Sequence, residues 1–230
     1  MKRKVLLQLQ DVTRTFSQGG DEILALKKTN FEAKAGELIA IVGPSGSGKS
    51  TFLTIAGGLQ TPTSGKVSIN GKEITNMNNK QLSAVRFSNI GFILQASNLV
   101  SFLSVEKQLR LRDSVSRHRF NERSALALFE ELGIQNLRKK FPGDLSGGER
   151  QRAAIAKVLY GNPKVVLADE PTASLDTQKA YEVVELLARE THGQNRTTIM
   201  VTHDERLVEK CDKVYEMRDG VLTRRKYQRS

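Results

Sequence analysis

The sequence predicts an α/β fold whose core is split along the chain by an α-helical insertion. Three observations carry that expectation. The run "ELIAIVG" (37–43) is continuously apolar and closes on glycine, as a strand buried on both faces does. After Pro163 the same texture returns twice, in "KVVLADEP" and "TTIMVTH", with the helical stretch "TQKAYEVVELLARE" between them. From about 96 to 160, by contrast, β-branched residues thin out and helical spacing appears. This order assigns residues 1–95 and 161–230 to the core and 96–160 to the insertion, all within one domain.

In chain order, "KVLLQLQDVTRTF" and "EILALKKTNFEAKAG" read as strands, the second running to a turn at Gly36. "KSTFLTIAGGL" is a helix stopped by Gly57-Gly58, and "TSGKVSINGKEI" is a hairpin with turns expected at Ser64-Gly65 and Asn70-Gly71. The insertion holds three helical stretches, "VEKQLRLRDSV", "ERSALALFEELGI" and "GERQRAAIAKVLYG".

Composition narrows the class. At 230 residues with 38% hydrophobic and 27% charged side chains, the chain can bury a sizeable core. No run approaches the ~18–20 apolar residues that cross a bilayer, and Val5-Leu6-Leu7 is too short for an export signal, so a cytoplasmic setting is expected. Cys211 has no second cysteine to pair with and reads as a reduced, semi-buried thiol. The net charge of +11 suits a polyanionic partner such as a nucleotide, anionic lipid headgroups or nucleic acid. Its clusters at 110–119, 138–140 and 224–229 read equally well, one by one, as solvated basic surface, so charge alone does not choose.

The segment "GPSGSGKST" (43–51) chooses. It fits G-x-x-x-x-G-K-[ST] with Gly43, Gly48, Lys49 and Ser50 in the fixed positions and a strand before and a helix after. Pro44, Ser45, Gly46, Ser47 and Thr51 complete the loop. Such a loop curls its backbone N–H groups towards phosphate oxygens, and the helix start adds partial positive charge. Lys49 is expected to reach the β- and γ-phosphates, and the Ser50 hydroxyl to ligate Mg²⁺. Nucleoside triphosphate binding follows, and nothing finer.

Asp169 and Glu170 close the apolar strand of "KVVLADEP", and ligands of open α/β sheets collect at the carboxyl ends of strands. Asp169 there can hold Mg²⁺ through a water, and Glu170 can polarise an attacking water. "IMVTHD" delivers His203 to the same sheet edge as a γ-phosphate or water-positioning contact. A second glycine pair, in "DLSGGERQR" (144–152), opens a helix with Ser146 and Glu149 spaced as a capping box. Capping alone explains a helix start, but two adjacent glycines there cost backbone entropy unless something must approach closely.

Together these residues resemble the nucleotide-binding subunit of ATP-binding cassette (ABC) transporters over essentially the whole chain. The parts stand in that family's order: an aromatic base-stacking candidate at Phe16, the phosphate loop, Gln95 in "GFILQ", the signature "LSGGE" (145–149), the acidic strand 165–169 with Glu170, "SLD" (174–176) and His203. Phe16 replaces the commoner tyrosine, and its ring can still stack on adenine. The "LADEPT" form is similar to the macrolide-exporter and lipoprotein-release (MacB/LolD-like) subgroup. "GFILQASNLV", "DEPTASLD" and "VTHDERL" look especially like the ATPases of bacterial haem-exporting (HrtA-like) systems.

The resemblance implies a P-loop NTPase core, with a RecA-like mixed sheet and an N-terminal antiparallel β subdomain, and an inserted α-helical signature subdomain. It implies ATP and Mg²⁺ as cofactors, with Gln95 sensing the metal and the γ-phosphate. It further implies that Ser146, Gly147, Gly148 and Glu149 grip the γ-phosphate of ATP held by a second copy, with Asp176 across the same interface. The segment "ASNLVSFLSVEKQL" would present Leu99, Val100, Phe102 and Leu103 to a membrane permease, with basic patches towards anionic headgroups and no nucleic acid partner. Two rivals stand beside this: an ABC ATPase serving cell division or sensing instead of transport, and a P-loop kinase, which the signature and His203 disfavour.

Overall fold

The computed structural model describes residues 3–18 and 21–225. Part of the basic run 224–229, from residue 226 on, lies outside them. The chain opens with two long antiparallel strands, β1 (Val5–Gln18) and β2 (Asp21–Lys34), followed by β3 (Glu37–Val42) and helix α1 (Lys49–Ala56). Then come β4 (Ser64–Ile69), β5 (Lys72–Glu73), α2 (Asn79–Asn89) and β6 (Ile90–Ile93). Helices α3 (Val105–Ser116), α4 (Glu122–Glu131) and α5 (Gly147–Tyr160) precede β7 (Val165–Asp169), α6 (Thr177–Gly193), β8 (Thr197–Val201), β9 (Lys213–Arg218) and β10 (Val221–Arg224).

Two sheets result. One is antiparallel, in the order β2-β1-β4-β5, and the other is mixed, in the order β10-β9-β3-β8-β7-β6. In the mixed sheet β9, β3, β8, β7 and β6 run parallel, and β10 joins β9 antiparallel. All of α3, α4 and α5 fall in the chain between β6 and β7, which are hydrogen-bonded neighbours.

Strand alternation builds the layers. Leu38, Ala40, Val42, Val166, Ala168 and Met200 share one apolar cluster with Val105, Leu109, Phe129 and Ile155 from the helices. The alternate residues Ile39, Ile41, Val165, Leu167, Ile199 and Val201 share the other with Leu7, Phe31 and Phe52 from β1, β2 and α1. A strand buried on both faces must read as a continuous apolar run, which is why 38–42 does. The sheet is therefore a middle layer with its carboxyl edge left open.

Two local features differ from the sequence expectation, and one helix had no counterpart in it. Ser64-Gly65 is not a turn: it begins β4, and Gly65 at φ +87 lies so close to β1 that a Cβ would sit 2.5 Å from the Asp11 carbonyl. Close approach, not chain reversal, requires glycine there. Helix α2 has no buried residue and so no apolar stripe, and its start is marked only by the Asn78–Gln81 capping box. Cys211, expected to be semi-buried, is fully buried just after a 3₁₀ turn, Glu205–Lys210.

Tyr160 at the end of α5 ties the helices together. Its hydroxyl donates to Asp113 Oδ2 on α3 and accepts from the Asn121 backbone N–H at 2.9 Å, while its ring tilts against Phe120 at 5.7 Å. Burial and the Asp113 carboxylate push its phenol up to about 12 from 10.0. A folded pKa above the unfolded one adds stability that is complete below about pH 10 and lost as pH rises through about 12. Tyr160→Phe is expected to cost about 1–2 kcal/mol at neutral pH in urea denaturation. That deficit shrinks as the pH is raised from 10 towards 12, and a pH-independent deficit would speak against the hydroxyl as its source.

Candidate nucleotide site

The phosphate loop is shaped by its neighbours. Gly43 (φ +152) and Gly48 (φ +106) sit where a Cβ would collide with the Met217 carbonyl of β9 and, at 2.5 Å, the Ala25 carbonyl of β2. Only glycine combines those dihedrals with walls that close. Gly48 caps α1, no side chain caps the helix and no acidic residue lies in its first turn, so its N-terminal dipole is open to an anion. Lys49 Nζ meanwhile donates to the carbonyls of Gly43 at 2.9 Å and Pro44 at 2.6 Å, folded back over its own loop.

A cavity of about 480 Å³ opens at this edge of the sheet, lined by Gly43, Ser45, Gly46, Gly48, Lys49, Ser50, Thr51, Gln95, Asp169, Glu170 and His203, with Ala25 and Val201. Ser50 Oγ donates to Asp169 Oδ2 at 3.3 Å. Burial raises the Asp169 carboxyl above its ordinary range, the Glu170 charge adds to this, and Ser50 and Lys49 oppose it. Glu170 Oε2 lies 3.0 Å from His203 Nδ1. The Glu170 backbone is left-handed (φ 47), and its N–H donates to Val201 O at 3.0 Å, so β8 holds the residue that leaves β7. A non-glycine residue in that region costs on the order of 1 kcal/mol, which the fold bears to aim this carboxylate.

The oxygen donors suit Mg²⁺. Ser50 hydroxyl, Asp169 carboxylate and the Gln95 side chain are hard ligands, too few for an all-protein cage, and Mg²⁺ is commonly completed by waters and substrate phosphates. Among the described residues no group of three His, Cys, Asp or Glu side chains could hold a metal by itself.

Other sequence-expected residues lie elsewhere. Ser146 accepts from the Glu149 N–H at 3.3 Å and Glu149 accepts from the Ser146 N–H at 2.7 Å, completing the capping box of α5. Gly147 and Gly148 face Ser174 and Leu175, and a Cβ on Gly148 would meet Leu175 Cδ2 at 3.0 Å. Asp176 caps α6 by accepting from the Lys179 N–H at 2.9 Å. The signature glycines thus pack against the "SLD" turn, and none of these residues lines the cavity. Phe16 is also absent from the lining, with the Arg14 guanidinium 4.6 Å from its ring centroid. Ala25 enters the cavity wall from an ordinary stretch of strand and carried no sequence signal.

A glycine loop and open helix start shaped to receive an anion, backed by two carboxylates and a histidine at the carboxyl edge of a parallel sheet, define a P-loop nucleoside triphosphatase. The ABC transporter family profile matches residues 26–173, and the chain belongs to that family. It is an ATPase. It is 42% identical to a Staphylococcus saprophyticus protein over 220 residues, covering 94% of this chain and 98% of that one. A Staphylococcus aureus protein is 41% identical over 219 residues, covering 94% and 99%. Both carry the provisional name hemin import ATP-binding protein HrtA. The ATP-binding cassette MJ0796, solved as a dimer in a post-hydrolysis state with ADP and Pi, superposes with a TM-score of 0.88 at 32% identity, covering 96% of this chain and 100% of that one. CbiO1 from Clostridium perfringens, part of the ABC transporter complex CbiONQ, gives 0.83 at 31% identity, covering 96% and 88%.

The loop geometry makes a direct prediction. Gly48→Ala abolishes ATP binding measured by titration calorimetry while leaving the cooperative melting of the protein intact. Binding within threefold of the parent would show that the loop tolerates a Cβ there.

Proposed function

We propose that this ATPase drives a membrane permease that moves hemin or a comparable apolar compound outward, through a dimer of two copies closed around two ATP molecules. The observation that carries the reading is the separation between the cavity, with Lys49, Ser50, Gln95, Asp169, Glu170 and His203, and the helix start at Ser146–Gly148. The helix start presents an N-terminus next to the "SLD" turn and away from its own phosphate loop, so a second copy is the natural supplier of the phosphate it grips. MJ0796, which this chain resembles throughout, is dimeric in its solved form.

In this reading Lys49 leaves the Gly43 and Pro44 carbonyls for the β- and γ-phosphates, and Phe16 stacks on the base. Ser50 and Asp169, with Gln95, would hold Mg²⁺, which would supply charge neutralisation at the phosphates. Glu170 orients the attacking water and takes up its proton, and His203, already 3.0 Å from the Glu170 carboxylate, positions both. Closure is favoured while the γ-phosphate bridges the copies and lapses after hydrolysis. Phe102, 77% exposed, is the apolar contact offered to the permease. Headgroup contact is secondary, because Arg110 and Arg138 already pair with Glu106, and Arg112 donates to the carbonyls of Phe87 and Gly161.

Outward movement rests on the "LADEPT" and "VTHDERL" resemblance, whereas the name of the staphylococcal relatives favours import. Cells lacking this ATPase become hypersensitive to excess hemin if it exports. Unchanged tolerance with lost growth on hemin as sole iron source would establish import instead.

Glu170→Gln keeps the shape of the site and removes the base. It is expected to bind ATP, lose hydrolysis by at least a hundredfold and accumulate as a dimer in sedimentation with ATP but not ADP. Near-normal turnover would remove Glu170 from catalysis.

A further inference from the structure

Between the end of β6 and the start of α3 the chain runs as an irregular segment with bends at 95–96 and a turn at 101–102, and the bonds that hold it are unusual. Among the described residues, no backbone group from Gln95 to Leu103 bonds to the mixed sheet. Side chains of the helices hold the segment instead. Gln151 Nε2 on α5 donates to the Leu94 carbonyl at 3.3 Å. Lys157 Nζ, six residues further along the same helix, donates to the Asn98 carbonyl at 2.7 Å. Gln108 on α3 accepts from the Val100 N–H at 3.1 Å and donates to the carbonyls of Val100 at 2.8 Å and Leu103 at 2.9 Å, replacing a missing strand partner.

These are expensive groups to place there. Gln108 and Gln151 are each only 2% exposed, so their amides must be satisfied by the segment or remain unsatisfied. No carboxylate among the described residues pairs with Lys157, and burial lowers its ammonium below the ordinary lysine range. Lys157 is half-buried and its bond to the Asn98 carbonyl lies at an exposed position, so that bond's 2.7 Å geometry, and not desolvation, marks the residue. Asn98 meanwhile adopts a left-handed backbone (φ 44) where it meets Lys157.

The connections are directional. Leu94 is followed by Gln95, which lines the nucleotide cavity, while Gln151 sits just over one turn from Ser146 at the start of α5. Phe102, the most exposed large apolar side chain among the described residues, rides on the same strapped segment. We propose that Gln151, Lys157 and Gln108 are positioning residues that make residues 94–103 move as one body with α5 and α3, so that a displacement at Phe102 or Gln95 reaches the Ser146–Gly148 helix start. The inference rests on the two-copy reading above and adds the residues that carry its coupling.

The test compares Gln151→Leu/Lys157→Met, which removes both donors at similar volume, with Gln151→Leu/Lys157→Arg, which returns one cationic donor to Asn98. All are made in the Glu170→Gln protein for hydrogen exchange and in the parent for turnover. In Glu170→Gln, ATP is expected to slow exchange in both the 98–103 and the 144–150 peptides. In the Leu/Met variant 144–150 still responds and 98–103 does not. Its kcat falls about tenfold, the effect of about 1.4 kcal/mol, with ATP affinity of the isolated monomer unchanged within twofold. The Leu/Arg variant recovers most of both responses.

A kcat within twofold of the parent, or joint slowing of the two peptides that survives in Leu/Met, overturns the inference. So does an equal loss in Leu/Arg and Leu/Met, which would assign the effect to packing. An ATP response in 144–150 of Glu170→Gln with none in 98–103 overturns this inference alone, whereas no response in 144–150 overturns the two-copy reading as well.

Discussion

The packing that walls the backbone turn between Val42 and Lys49 is the constraint that builds the nucleotide site. Two of the turn's three positive-φ glycines, Gly43 and Gly48, are walled by main-chain carbonyls from β9 and β2, so the loop cannot relax to a shape that an ordinary residue would adopt. Those walls exist only because β3 is the central strand of a sheet buried on both faces and the β1–β2 ribbon lies across one face. Burial of the ribbon and of α1, with Phe52 wholly enclosed, stabilises the loop from behind. A cavity at such a site costs about 3–5 kcal/mol, far more than the fraction of a kilocalorie typical of a surface pair. The phosphate site is thus a consequence of core packing.

The same rigidity explains why two carboxylates and a histidine meet at the carboxyl edge of the sheet. Parallel strands end at a common edge, so Asp169 at the end of β7, Glu170 just after it and His203 beyond β8 converge on the loop without long-range tuning. What the edge does not receive is the second helix start. Ser146 and its glycines rest against Ser174 and Leu175, in a place fixed by α5 and not by the sheet. As a helix cap Ser146 is worth only about 1 kcal/mol, a modest return for two adjacent glycines, and in the proposed two-copy site an anion brought by another molecule would supply the missing reason.

Much of this was legible in the sequence because it depends on local rules. The phosphate loop, the acidic strand end and the Ser146–Glu149 box are each set by residues close in the chain, and apolar runs reveal strands buried on both faces. The mixed sheet beside an antiparallel ribbon followed from the family resemblance. Helix α2 was not legible because it buries nothing, and β9 and β10 gave no run as continuous as 38–42. Ala25 and the straps from Gln108, Gln151 and Lys157 were invisible for a different reason. Their partners are backbone carbonyls, which leave no trace in the residue type across from them.

The most direct measurement places one cysteine in the phosphate loop and one at the helix start, Ser45→Cys with Ser146→Cys, in a Cys211→Ala, Glu170→Gln chain and applies a short bifunctional maleimide. If the site is shared between copies, ATP produces a covalent species of twice the chain mass that ADP does not. Linkage confined to single chains, or the same yield with and without ATP, would contradict a site built from two halves.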